Sequence, residues 1–169
     1  KIYVGEYASW GNTLYNALAE GVYMTSLERN GDVVRMASYA PLLANVHHTS
    51  WNPNLIYFSN TRVIRTANYY VQQLFASNAG DVFYPAVIAI KSGDTTVGAS
   101  CVKDSRTGDL ILKVVHAGPG TLQAAIDLTA AGRPGSQASR IMLTGKPDAK
   151  NTDAAPDAVI PRESSMEVK

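Results

Sequence analysis

Between residues 77 and 81 the chain changes character, and that change limits what it can fold into. Before Ser77-Asn78-Ala79-Gly80-Asp81 the apolar residues recur at helical spacing between short β-prone runs. After it, short strands and turns take over. The first run, Ile2-Tyr3-Val4, ends at Gly5-Glu6-Tyr7. Asn12 is placed to cap a helix over 13–29, on which Leu14, Ala17, Leu18, Tyr23 (or Val22) and Leu27 form one apolar face. Asn30-Gly31 stops that helix. Residues 32–40 read as a second strand, closed by Pro41. Strand, helix, strand is one βαβ unit, which places the two strands parallel.

A polar stretch over 45–66 carries His47, His48, Trp51 and the Asn52-Pro53-Asn54 turn. Long loops after parallel strands are where α/β proteins place function. A second helix is predicted over 67–76, with Tyr70, Val71, Leu74 and Phe75 inward. Beyond residue 79 the expected strands are 82–90, 99–103, 110–116, 122–128, 140–143 and 164–168. Residues 146–161 read as a surface loop. The expected architecture is therefore α/β followed by all-β. Residues 1–78 are the last two βα units of an incomplete (β/α)8 barrel, and 79–169 an antiparallel β-sandwich, jelly-roll-like. Two parallel strands and two helices bury too little to stand alone. That, and a start at Lys1 directly in a strand-like run, reads as part of a longer protein.

Composition narrows the function. Fifteen basic against fourteen acidic side chains give a net charge of +1, which argues against a nucleic-acid partner. The single cysteine, Cys101, excludes an internal disulfide and a cysteine-rich zinc site, and reads as a small buried apolar residue. Adjacent histidines on an extended segment point to opposite sides, and His47-His48 has no third ligand at useful spacing, so no metal is expected. No apolar run reaches membrane-spanning length. No cofactor is expected. Compartment stays open, because one unpaired cysteine fits cytoplasm, periplasm and exterior alike.

Glu6 is the candidate reactive group. It stands at the carboxyl end of a parallel strand, where barrel enzymes present catalytic groups. A salt-bridged or capping role is the competing reading. The segment Lys1-Ile2-Tyr3-Val4-Gly5-Glu6-Tyr7-Ala8-Ser9 resembles the strand-seven segment of glycoside hydrolase family 51 α-L-arabinofuranosidases. Leu27-Glu28-Arg29-Asn30-Gly31-Asp32, Met36-Ala37-Ser38-Tyr39-Ala40-Pro41 and Trp51-Asn52-Pro53-Asn54-Leu55-Ile56-Tyr57-Phe58 are similar too. The β-rich tail with Thr107-Gly108-Asp109 follows the same family pattern, and the resemblance covers nearly the whole chain.

The resemblance implies a barrel followed by a sandwich, and retaining hydrolysis of terminal arabinofuranosyl groups. It makes Glu6 the nucleophile. Retaining chemistry uses two carboxyl groups about 5–5.5 Å apart. The family's acid/base lies in a Gly-Asn-Glu motif that this sequence lacks, and Glu20, Glu28, Glu163 and Glu167 are badly placed for the role. The acid/base is thus expected upstream, and the isolated chain is expected to be inactive. Trp10 either faces the sugar or packs at the helix entry. Trp51 and Asn54 follow the last barrel strand, where the family places sugar contacts. The implied partners are arabinose-containing oligo- or polysaccharide and the missing N-terminal part of the same protein. Open strand edges in 1–40 leave homo-oligomerisation open. The alternative function is a non-catalytic β-sandwich module that braces the barrel or binds polysaccharide.

Overall fold

The structure is a computed structural model that describes residues 1–85, 94–132 and 135–168. Strand β1 (Ile2–Tyr7) is followed by helix α1 (Leu14–Arg29) and strand β2 (Val34–Tyr39). β1 and β2 pair in parallel, as the βαβ reading requires. Their register breaks between Val4 and Tyr7: three steps along β1 are matched by two along β2, so Gly5 and Glu6 occupy an irregular stretch.

α1 begins one residue later than expected, and its cap is Thr13 rather than Asn12. The Thr13 hydroxyl accepts the Asn16 N–H, and the Asn16 side chain accepts the Thr13 N–H in return. Asn12 is used elsewhere. Its amide donates to Asn54 O and Asn68 Oδ1, both at 3.1 Å, and so ties the helix entry to later parts of the chain.

The stretch expected to be irregular holds a small sheet. β3 (Leu43–Asn45) pairs in parallel with β4 (Ile56–Phe58), which pairs antiparallel with β5 (Val63–Arg65). Helix α2 (Ala67–Ser77) follows, capped by Thr66. It buries Ala67, Asn68 and Val71, leaving Tyr70, Leu74 and Phe75 half-buried. α1 and α2 pack on each other, and their core contains Leu14, Ala17, Ala67, Val71 and Val159.

Past residue 80 the strands are β6 (Val82–Tyr84), β7 (Val97–Lys103) and β8 (Leu110–His116), joined in one antiparallel sheet, and the hairpin β9 (Gln137–Met142) with β10 (Arg162–Glu167). The part of the expected 82–90 strand over 86–90 lies outside the described residues. The strand expected over 122–128 does not form among the described residues. Leu122 and Ile126 are 39% and 53% exposed, and no neighbouring strand takes up this segment's backbone groups. Alternating apolar residues give a strand a face, but only a hydrogen-bonding neighbour makes it a strand.

α1 packs on β7 and β8. The approach is close at Gly98, where an added Cβ would lie 2.5 Å from Thr25 Oγ1 and 3.0 Å from Val22 Cα. Glu28 of α1 accepts from the Ser100 hydroxyl and pairs with Lys113 of β8, while Arg29 donates to Ala99 O at 2.7 Å. Cys101 is buried on β7, and that burial raises its thiol pKa.

The loop over 146–161 is irregular but not simply a surface loop. Val159 is 1% exposed and sits in the helix core. Ala149 O and Pro147 O accept the N–H groups of Leu14 and Tyr15, two of the amides that a helix start leaves without partners. Asn151 holds the loop by donating to Arg65 O and Val159 O and accepting the Val159 N–H.

Candidate functional site

Successive residues of a strand face opposite ways, and Glu6 and Tyr7 do so here. Glu6 is exposed, and no hydrogen bond or ion pair engages its carboxylate among the described residues. Tyr7 turns inward. Its hydroxyl donates to Gln72 Oε1 at 2.6 Å, and its ring lies 5.4 Å from Tyr23 and 5.9 Å from Tyr39, centroid to centroid. Burial pushes the Tyr7 hydroxyl up to about 12, opposed by its bond to Gln72.

After β1 the chain crosses 8–12 to reach α1. Trp10 stands on this crossing with 83% exposure. So exposed a ring is not the helix-entry packing residue that was the competing reading. Trp51, from the loop between β3 and β4, is 53% exposed, and its ring centroid lies 6.0 Å from that of Trp10 with the planes inclined at 52°. Two indoles distant in sequence thus form one open aromatic surface.

Asn54, three residues after Trp51, is 2% exposed. Its amide donates to Trp51 O at 2.6 Å, its backbone N–H donates to the Tyr57 hydroxyl, and its carbonyl accepts from Asn12. The Tyr57 hydroxyl bonds Asn52 and Asn12. Through its Nδ2, backbone N–H and backbone carbonyl, Asn54 fixes the Trp51 loop against the Trp10 crossing, while no hydrogen bond engages its Oδ1 among the described residues.

His47 and His48 border a polar cleft of about 290 Å³ together with Asn60 and Asp153. Among the described residues, no group of three His, Cys, Asp or Glu could hold a metal ion, and no helix is long and apolar enough to cross a membrane.

Sequence reasoning missed the polar layer under the crossing. Glu20 is 3% exposed, and its Oε1 accepts the Ser9 N–H at 2.8 Å and Asn68 Nδ2 at 2.7 Å. Gln72 Nε2 donates to its Oε2 at 3.4 Å. Burial pushes this carboxyl up to about 7, against the opposing pull of the hydrogen bonds from Ser9, Asn68 and Gln72. Tyr39 is buried, its hydroxyl has no hydrogen-bond partner among the described residues, and burial followed by the nearby Glu20 charge raises its pKa. A signal for this layer existed: Glu20 continues the spacing of Leu14 and Ala17, so it is a charge on the apolar face.

Comparison with known proteins bears on the whole arrangement. The family model described as the α-L-arabinofuranosidase C-terminal domain matches residues 5–169. An extracellular exo-α-L-arabinofuranosidase of Streptomyces chartreusis is 52% identical over 86 residues, 51% of this chain and 10% of its own length. A probable α-L-arabinofuranosidase A of Aspergillus oryzae is 36% identical over 170 residues, covering 97% of this chain. The chain spans only 26% of that relative's length. Among solved structures, the arabinose-bound MgGH51 α-L-arabinofuranosidase superposes with a TM-score of 0.88 at 34% identity, over 95% of this chain and 25% of that one. With its two helices, its small sheets and nearly its whole length matched, the chain belongs to the C-terminal domain family of the α-L-arabinofuranosidases, as found in glycoside hydrolase family 51.

Proposed function

We propose that this chain supplies the nucleophile and part of the sugar-binding rim of a retaining α-L-arabinofuranosidase. The substrates are terminal arabinofuranosyl groups of arabinoxylan, arabinan or arabino-oligosaccharides. Residues 1–78 contribute the last two βα units of a (β/α)8 barrel, and 79–169 form the β-sandwich beside it. The Glu6 carboxylate attacks the anomeric carbon. An acid/base from the upstream part of the protein protonates the leaving oxygen, then activates water to release the sugar. The exposed Trp10 and Trp51 rings offer apolar faces to the sugar. Asn54 keeps Trp51 in place through its Nδ2 and has its Oδ1 left to accept from a sugar hydroxyl.

The observation that carries this reading is the state of Glu6. It is an exposed carboxylate with no partner among the described residues, at the carboxyl end of a parallel strand, in a register irregularity.

The test uses the full-length protein and an aryl α-L-arabinofuranoside. Glu6→Ala is expected to lower kcat by at least about 10³-fold. Unchanged turnover in that variant would refute the assignment. The isolated chain is expected to give no measurable turnover. The contacts of α1 with β7 and β8 also favour a bracing role for the sheet, which is compatible with this reading. Retention of the isolated chain on insoluble arabinoxylan would add a polysaccharide-binding role.

A further inference from the structure

Glu20 sits on the buried face of α1, where an apolar side chain would pack at less electrostatic cost. Its carboxylate instead collects donors from two other parts of the chain. Ser9 N–H comes from the crossing after β1, and Asn68 and Gln72 come from α2. Gln72 then accepts the hydroxyl of Tyr7. Two arms therefore run from one carboxylate to the same short segment. One ends at Ser9, three residues after Glu6 and one before Trp10. The other ends at Tyr7, the neighbour of Glu6.

We propose that Glu20 is the positioning residue of the nucleophile segment: through Ser9 and through Gln72–Tyr7 it fixes where Glu6 and Trp10 stand. This rests on the function proposed above and adds a residue that does not itself touch the sugar. A hydrogen bond from a backbone N–H to a buried carboxylate is about twice as strong as a neutral one. Small displacements of a reacting group are costly, on the order of 10²-fold for 1 Å. The Ser9 arm thus controls a sensitive coordinate. Protonation of Glu20 is set by burial and by what faces it: the donors Ser9, Asn68 and Gln72, the buried Tyr39, and Tyr7. No ion pair to Glu20 occurs among the described residues.

The experiment compares wild type, Glu6→Gln, Glu20→Ala and Glu20→Gln in the full-length protein. It measures kcat and KM on 4-nitrophenyl α-L-arabinofuranoside across pH 5–9, and hydrogen exchange of the peptide spanning residues 7–13. Glu20→Ala is expected to lose kcat by about 10-fold or more, with KM within about threefold, and to exchange faster at the Ser9 amide. Glu20→Gln keeps an oxygen for Ser9 and Asn68. With the Gln72 amide turned over, so that its oxygen accepts from the new amide and its nitrogen donates to the Tyr7 hydroxyl, the variant keeps both arms. It therefore restores kcat to within about threefold of wild type and flattens any pH dependence centred near 7. If Glu20→Ala does not fold, Gln72→Met removes the second arm at a half-buried position, with the same kcat loss and faster exchange expected. Wild-type kcat and exchange in Glu20→Ala (or in Gln72→Met where that variant serves), or no recovery in Glu20→Gln, would overturn the proposal. An inactive wild type, or an active Glu6→Gln, would instead refute the function itself, and the exchange measurement would still judge the grip on Ser9.

Discussion

A carboxyl group held near pH 7 inside the fold leaves a mark on stability. The pKa of Glu20 is raised from 4.5 to about 7 by burial, so the folded state holds the proton more tightly than the unfolded state does. The stability this contributes is fully present below about pH 4.5 and is lost as pH rises through about 7. A rise of this size corresponds to roughly 3 kcal/mol. Asp81, Asp94 and Asp127 are shifted the other way by hydrogen bonds from nearby Ser and Thr groups, so they act below their ordinary value, outside this window. The full-length protein is expected to lose thermal stability between pH 5 and 8, and Glu20→Gln to lose clearly less, as measured by scanning calorimetry. Sequence pointed to Glu6, Trp10 and Trp51 as candidates, and the structure shows all three exposed, with the two indoles side by side. The burial of Asn54 and its bond to the Trp51 carbonyl were not legible, because an asparagine in a polar loop looks the same in sequence whether buried or exposed. Nothing in the spacing of residues 9, 68 and 72 announced that they share one carboxylate.

At the scale of elements, the contact between α1 and β7 depends on a missing side chain. Gly98→Ala would drive a Cβ against Thr25 and the backbone of Val22, with no flexible side-chain end able to move aside at Val22. Overpacking of this kind costs about 1–3 kcal/mol. Chemical denaturation of the variant is expected to show a lower midpoint with an unchanged slope. The parallel pair β1–β2 and both helices were readable because each is long enough to display its period. β3, β4 and β5 were not, because three residues cannot show an alternation. Residues 122–128 failed in the opposite sense: they alternate, but they find no ladder among the described residues.

Across the whole molecule, one cation joins four elements. Lys113 of β8 is 9% exposed, pairs with Glu28 of α1 and lies 5.3 Å from the ring centre of Phe75 on α2. Glu28 also accepts from Ser100 of β7. Lys113→Ala would leave that carboxylate without its countercharge, and a loss of about 3 kcal/mol is expected by thermal or chemical unfolding. Glu28→Gln combined with Lys113→Met should recover much of that loss, since the double variant leaves no unpaired charge and the Gln oxygen can still accept from Ser100. The change of character near residue 80 was visible in sequence, but the packing that joins its two sides was not. Lys113 reads as an ordinary surface lysine until Glu28 is placed opposite it.

The start of α1 carries a consequence for synthesis. Its first amides are satisfied by the carbonyls of Pro147 and Ala149. A nascent chain leaving the ribosome therefore cannot complete this helix entry, which follows Glu6 and Trp10, until residue 149 has emerged. Contacts so far apart along a polypeptide slow folding. The entry of this helix is made long before it can be finished.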